Sequence, residues 1–163
     1  WDAMVSEPKA TIRRLSITAV DSQGSDDLFV RVSTFTHPET LFLAKASAGE
    51  EYLSGAEPLK HMPSFFNADG IQYFQKFAES ADGTKVPYFV ICKIERAHDG
   101  SNPTVLYGYG GFEISLEPYY MSVTGAAWLE AGGCWAIANI RGGGEYGPSW
   151  HQSALKEHRQ RAY

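Results

Sequence analysis

Two apolar runs that each empty into glycines constrain this chain more than any other feature. The first, Thr104 to Tyr107, opens into Gly108-Tyr109-Gly110-Gly111-Phe112, and the second, Cys134 to Ile140, opens into Arg141-Gly142-Gly143-Gly144-Glu145-Tyr146-Gly147-Pro148. Val105, Leu106 and Tyr107 are β-formers bounded by Pro103 and by Gly110-Gly111, the pattern of a short buried strand ending in a tight loop. Glycines there allow φ > 0 and let backbone N–H groups come close to a ligand. Tyr109 joins an apolar ring to a donor at its tip, which suits reaching over a cleft. A plain strand-to-helix turn is the alternative reading of the same residues. Between the two runs, Ser115 to Ala131 carries Leu116, Met121, Val123, Ala126, Ala127, Trp128 and Leu129, an apolar helical face. Pro118 restricts that helix to a start near or after itself, and Gly132-Gly133 ends it. Strand, helix, strand is a βαβ unit, so the strands about Val105 and Ile137 are predicted to be parallel, with a right-handed crossover. Their near-continuous apolar character predicts a sheet covered on both faces, and the fold class is α/β.

Upstream the periodicity changes. Thr11 to Val20, Leu28 to Phe35 and Thr40 to Ala46 read as strands separated by Asp21 to Asp26 and by His37-Pro38-Glu39. In the second of them Leu28, Val30 and Val32 alternate with Phe29, Arg31 and Ser33, which buries one face of an antiparallel strand. Strands at this spacing suit a propeller blade and equally a small β-sandwich. Ala48 to Asn67 shows no helical or strand period and is predicted to be a linker ending near Ser64. Ile71 to Glu79 and Lys85 to Ile94 then form an antiparallel hairpin about Asp82-Gly83, and Ala97 to Pro103 turns into the first glycine-ended strand. From Ser149 or Trp150 to the end at Tyr163 a helix is expected, with Pro148 in its first turn.

The paired motifs GYGGF and ANIRGGGEYGPSWHQ resemble the start of the peptidase domain of the prolyl oligopeptidase family, serine peptidases on the α/β-hydrolase fold. The resemblance runs from about Phe66 to Tyr163, and GYGGF is similar to the proline-specific branch rather than the oligopeptidase B branch. It implies the N-terminal part of an α/β-hydrolase sheet (65–163), preceded by antiparallel strands from the end of a β-propeller and a linker (1–64). It implies hydrolysis of short peptides after proline. Tyr109 matches the tyrosine whose hydroxyl completes the oxyanion hole, and Phe112 matches a phenylalanine lining the pocket for the proline ring; a core role is the alternative for Phe112. Arg141, Gly142, Gly143, Gly144 and Glu145 are read as a structural loop, with Arg141 and Glu145 holding it through a charge pair.

An α/β-hydrolase places its nucleophile in a Gly-x-Ser-x-Gly turn, followed in chain order by the acid and the histidine. The nearest frame here is Gly147-Pro148-Ser149-Trp150-His151, where Ser149 reads as a helix-start residue. No triad member is therefore assigned; the resemblance puts all three beyond Tyr163, so the chain alone is expected to be inactive. Because the first residue is Trp1 rather than Met, a processed product or an excerpt of a longer chain is expected. The remainder of the parent peptidase domain would then be its partner. A non-catalytic interaction fragment is a further alternative.

Gly142 to Gly147 also satisfies G-x-G-x-x-G after a strand and before a helix, the frame of a nucleotide-binding βαβ unit. His151 and His158 lack the i, i+4 spacing of a zinc helix, and His37 is an isolated turn histidine. No cofactor and no metal are expected. Fourteen basic against nineteen acidic residues leave a formal charge of −5, without the basic stripe that nucleic acid requires. No apolar run reaches membrane-spanning length and no secretory leader pattern precedes the strands, so a cytoplasmic location is expected, with the periplasm as the alternative. Cys92 and Cys134, each in an apolar run, are expected to be reduced core thiols rather than a disulfide scaffold.

Overall fold

The computed structural model describes residues 12–163 apart from Ser54, His98 and Gly110. Alternating apolar positions give a first, antiparallel sheet of β1 (Arg14–Ala19), β2 (Asp27–Ser33), β3 (Thr40–Lys45) and β4 (Glu57–His61), paired in sequence order. Val30, at the centre of β2, is wholly buried while Phe29 and Arg31 face out, the period of two read from the sequence. The expected start of the first strand, Thr11, lies outside the described residues. β4 corrects the predicted linker: residues 57–61 pair with β3, from Thr40 opposite His61 to Leu43 opposite Glu57. Every β4 residue is exposed, so no apolar alternation announces it. An edge strand with a register shift between Leu41 and Phe42 tolerates Pro58 opposite Phe42.

The second sheet has the order β5 (Ile71–Glu79), β6 (Lys85–Lys93), β8 (Cys134–Ala138), β7 (Thr104–Gly108). The β5–β6 hairpin turns at Asp82-Gly83 with Gly83 at φ 79°, and the Asp82 side chain accepts the Thr84 N–H at 3.1 Å, as that dipeptide predicts. β7 and β8 are parallel, from Thr104 opposite Cys134 to Gly108 opposite Ala138, and β8 also pairs antiparallel with β6. The connection between β7 and β8 holds α1 (Ser122–Thr124), which runs into a π turn, Gly125–Leu129. Gly132, at φ 94°, donates its N–H to Leu129 O and ends this segment where the glycines predicted.

Phe35 joins the two sheets. It leaves the turn after β2, is fully buried, and packs at 5.5 Å from the Tyr73 ring and 5.3 Å from Phe89. The Met121 N–H bonds to its carbonyl at 3.1 Å. Around it lie Phe66, Ile71, Ile91, Met121, Leu129 and Ile137. The predicted cover on both faces does not extend to β7, where Leu106 is 73% exposed: β7 is the edge of this sheet, and among the described residues no strand pairs with its outer side. The predicted C-terminal helix is also divided. α2 (Pro148–Gln152) stops, the chain is extended at Leu155, and a 3-10 segment follows over Lys156–Ala162. His151 and His158 therefore do not share one helix. No described helix is long and apolar enough to cross a membrane.

Candidate active-site rim

Because β7 and β8 are parallel neighbours, their glycine loops leave the sheet at the same end. The loops are bonded to each other: the Glu113 N–H donates to Gly142 O at 3.2 Å, the Gly144 N–H to Ile114 O at 3.1 Å, and the Leu116 N–H to Glu145 Oε1 at 3.0 Å. Each glycine of the second loop has a physical requirement. Gly142 and Gly147 hold φ of 101° and 74°. A Cβ on Gly143 would sit 2.9 Å from Ile114 O, and one on Gly144 would run into the Glu113 carbonyl.

On the first loop, Tyr109 follows the last β7 residue and its ring lies 6.2 Å from that of Phe112. Among the described residues Tyr109 is 40% exposed and Phe112 81%. Phe112 and Glu113 hold φ of 59° and 58°. Left-handed backbone at a bulky residue persists where its surroundings impose it, which here is the lacing to the second loop. The arrangement presents a hydroxyl donor and an aromatic face at the carboxyl end of adjacent parallel strands.

The Arg141–Glu145 charge pair predicted from the sequence does not form. Arg141 is buried and turns to the β5–β6 turn, with Nη1 at 2.5 Å from Asp82 Oδ2, Nη2 donating to Ser80 Oγ, and Nε donating to Arg161 O at 2.8 Å. Glu145 turns the other way. Its Oε1 accepts from Leu116 N and from Asn139 Nδ2, and the same Asn139 amide donates to Leu116 O at 2.8 Å. Asn139, 2% exposed, is a clamp that sequence reasoning did not single out; its signal was a polar amide inside the apolar run before Ile140. Arg159, also not singled out, stands with Nη1 3.2 Å from where a Gly111 Cβ would be.

The nucleotide-binding frame is not built. The N–H groups of Gly142, Gly143, Gly144 and Gly147 already donate to Trp150 O, Ile140 O, Ile114 O and Gly144 O, and α2 is a single short turn, so those donors are not offered to a phosphate. Ser149 sits within α2, where its carbonyl accepts the Ser153 N–H, and not on a strand-to-helix elbow. His151 Nδ1 faces the Gly142 carbonyl at 2.7 Å, which makes it the protonated ring nitrogen. Among the described residues, no three His, Cys, Asp or Glu side chains cluster as metal ligands would.

No family model matches the chain. It is 50% identical over 149 residues to the uncharacterized peptidase y4nA of Sinorhizobium fredii, covering 91% of this chain and 20% of that protein. It is 39% identical over 137 residues to the prolyl endopeptidase of Elizabethkingia miricola, covering 84% and 19%. Among solved structures, a prolyl endopeptidase superposes with a TM-score of 0.79 at 36% identity, over 91% of this chain and 21% of that one. A post-proline cleaving enzyme from Rickettsia typhi gives 0.76 at 32%, over 92% and 20%. The chain thus spans about a fifth of the length of the proteins it matches.

Proposed function

We propose that this chain, which belongs to the prolyl oligopeptidase family along the stretch it spans, supplies the oxyanion side and one pocket wall of a serine peptidase that cleaves short peptides after proline. One observation carries the reading: the residues that directly follow GYGGF, Glu113 to Leu116, are bonded to the RGGGEYG loop, so that the two loops form one rim at the carboxyl ends of β7 and β8, where ligands of α/β sheets bind. Attack on a peptide carbonyl places negative charge on its oxygen, and a donor already oriented toward that oxygen lowers the barrier. The Tyr109 hydroxyl is that donor. Phe112 offers a flat, exposed ring to the proline side chain, an apolar wall for a rigid apolar ring. The second loop positions both by fixing the backbone that carries them.

In this reading, β1 to β4 are the end of a propeller, four antiparallel strands in sequence order as a blade requires, and residues from about 65 onward begin the hydrolase domain. The nucleophile, acid and base come from the parent protein outside these residues. The test is cleavage of a chromogenic peptide with proline before the scissile bond by the full-length protein. Cleavage blocked by a serine-directed phosphonate is expected; activity insensitive to the phosphonate, or equal on a peptide with arginine in place of proline, would overturn it.

A further inference from the structure

We propose that Cys92 and Cys134 form a cross-strand dithiol that small-molecule disulfides convert to a disulfide, joining the β5–β6 hairpin covalently to the βαβ unit. The β6–β8 ladder runs from Tyr88 opposite Ala138 to Ile91 opposite Trp135, and the next antiparallel step sets Cys92 against Cys134. Directly opposed residues share a face, with Cα atoms about 4.5 to 5.5 Å apart, inside the range of about 4.4 to 6.8 Å that a disulfide spans. Both thiols are free and buried, Cys92 at 0% and Cys134 at 5% exposure. The partner side is fixed as well, since Cys134 donates its N–H to Pro103 O at 2.8 Å and accepts from Trp128 Nε1 at 2.8 Å.

The chemistry balances as two exchanges. One cysteine thiolate attacks the reagent disulfide and releases a first reagent thiol; the second cysteine then attacks the mixed disulfide and releases the other. Two protein S–H bonds and one reagent S–S bond break, while one protein S–S bond and two reagent S–H bonds form. The protein sulfurs lose two electrons to the reagent, and the two thiol protons pass to the released thiols. Burial, with the neighbouring Cys134 thiol adding to it, pushes the Cys92 pKa up to about 11. The reaction at neutral pH therefore waits on parting of the strand ends, and it is slow and steeply pH-dependent. Where glutathione keeps thiols reduced, the dithiol persists. Cys134 opens β8, at the end of the sheet opposite the glycine loops, so the bond stiffens the scaffold without touching Tyr109.

The experiment treats native full-length protein with glutathione disulfide and maps its peptides without reduction. Expected are a single Cys92–Cys134 linked peptide, joint disappearance of the two thiols, a Tm raised by several degrees and reversal by dithiothreitol. Cys92→Ser and Cys134→Ser should each abolish the rise in Tm on oxidation. Separate stable glutathione adducts on the two thiols, a link formed only in denaturant, no reaction under native conditions, or a linked protein with an unchanged or lower Tm would each overturn the proposal.

Discussion

Arg141, at the foot of the second glycine loop, places Nη1 2.5 Å from Asp82 Oδ2 in the β5–β6 turn, although the two residues lie 59 positions apart. The guanidinium side chain is 6% exposed and the carboxylate 46%, so the pair is buried from one side only. Arg141→Ala removes the donor to Asp82, Ser80 and Arg161 O together and is expected to lower stability by about 2 kcal/mol, below the range for a fully buried pair. Chemical denaturation of both proteins at neutral pH measures it. A loss indistinguishable from zero would make the pair an exposed one in effect.

The same contact predicts a pH dependence. The Thr84 hydroxyl and then the Arg141 guanidinium hold the Asp82 carboxyl well below the usual carboxylate range. A carboxyl depressed in the folded state contributes stability that is complete above its unfolded value, roughly 3.9, and that is lost as pH falls through the folded value. Melting temperature should thus fall more steeply below about pH 4 in the parent than in Asp82→Asn. Parallel acid limbs would show that Asp82 is not protonated at its own cost.

How much of this was legible beforehand differs by element. The parallel β7–β8 pair and the Asp82-Gly83 hairpin were readable because apolar runs and turn dipeptides are local signals. β4 was not, since an edge strand with every side chain exposed carries no pattern, and Pro58 pointed toward a linker. At the rim, Tyr109 and Phe112 stood out among glycines. The Arg141–Glu145 pair does not form because nearness in sequence is not nearness in space: Arg141 and Glu145 turn to opposite sides of the loop, toward Asp82 and toward Asn139.

Gly144→Ala should break the rim. Its Cβ would strike the Glu113 carbonyl and lie 2.9 Å from Ser115 Oγ, and that carbonyl belongs to backbone held on both sides, by the Glu113 N–H on Gly142 O and by Ile114 O on the Gly144 N–H. Overpacking of this kind costs about 1 to 3 kcal/mol. On the proposed function, kcat/KM of the full-length protein should fall with it, because Glu113 and Phe112 would shift. Gly55→Ala is the control: its Cβ meets nothing within 4 Å. Equal melting temperatures for the two variants would remove the steric account of the motif.

At alkaline pH the buried thiol becomes a liability. Cys92 titrates near 11 when folded and roughly at 8.5 when unfolded, so its contribution is intact below about 8.5 and is lost as pH rises toward 11. That difference corresponds to roughly 3 kcal/mol as an upper bound. Cys92→Ala should be less stable than the parent at pH 7, through the cavity it leaves, yet lose less between about pH 8.5 and 11. Stability of reduced protein measured by urea denaturation across that range decides it; equal slopes would place the alkaline loss elsewhere.

The sharpest test of the rim is Tyr109→Phe in the full-length enzyme. The substitution removes one hydroxyl and keeps the ring, so its 6.2 Å contact with Phe112 and the melting temperature should persist. Loss of one oxyanion donor costs roughly 10² to 10³ in rate. Tyr109 is 40% exposed, so water can replace part of the donor and the loss should fall toward the lower end. On the proposed role the loss belongs in kcat, because the hydroxyl would meet charge that develops only during attack, and ground-state binding of the peptide should change little. On the same proposal Phe112→Ala should do the reverse, raising KM for proline peptides by removing a wall that substrate and transition state would contact alike. Steady-state kinetics on one chromogenic peptide separates the two. If Tyr109→Phe kept its kcat and raised KM, Tyr109 would be a binding residue, and the hydroxyl at the end of β7 would have no part in the chemistry.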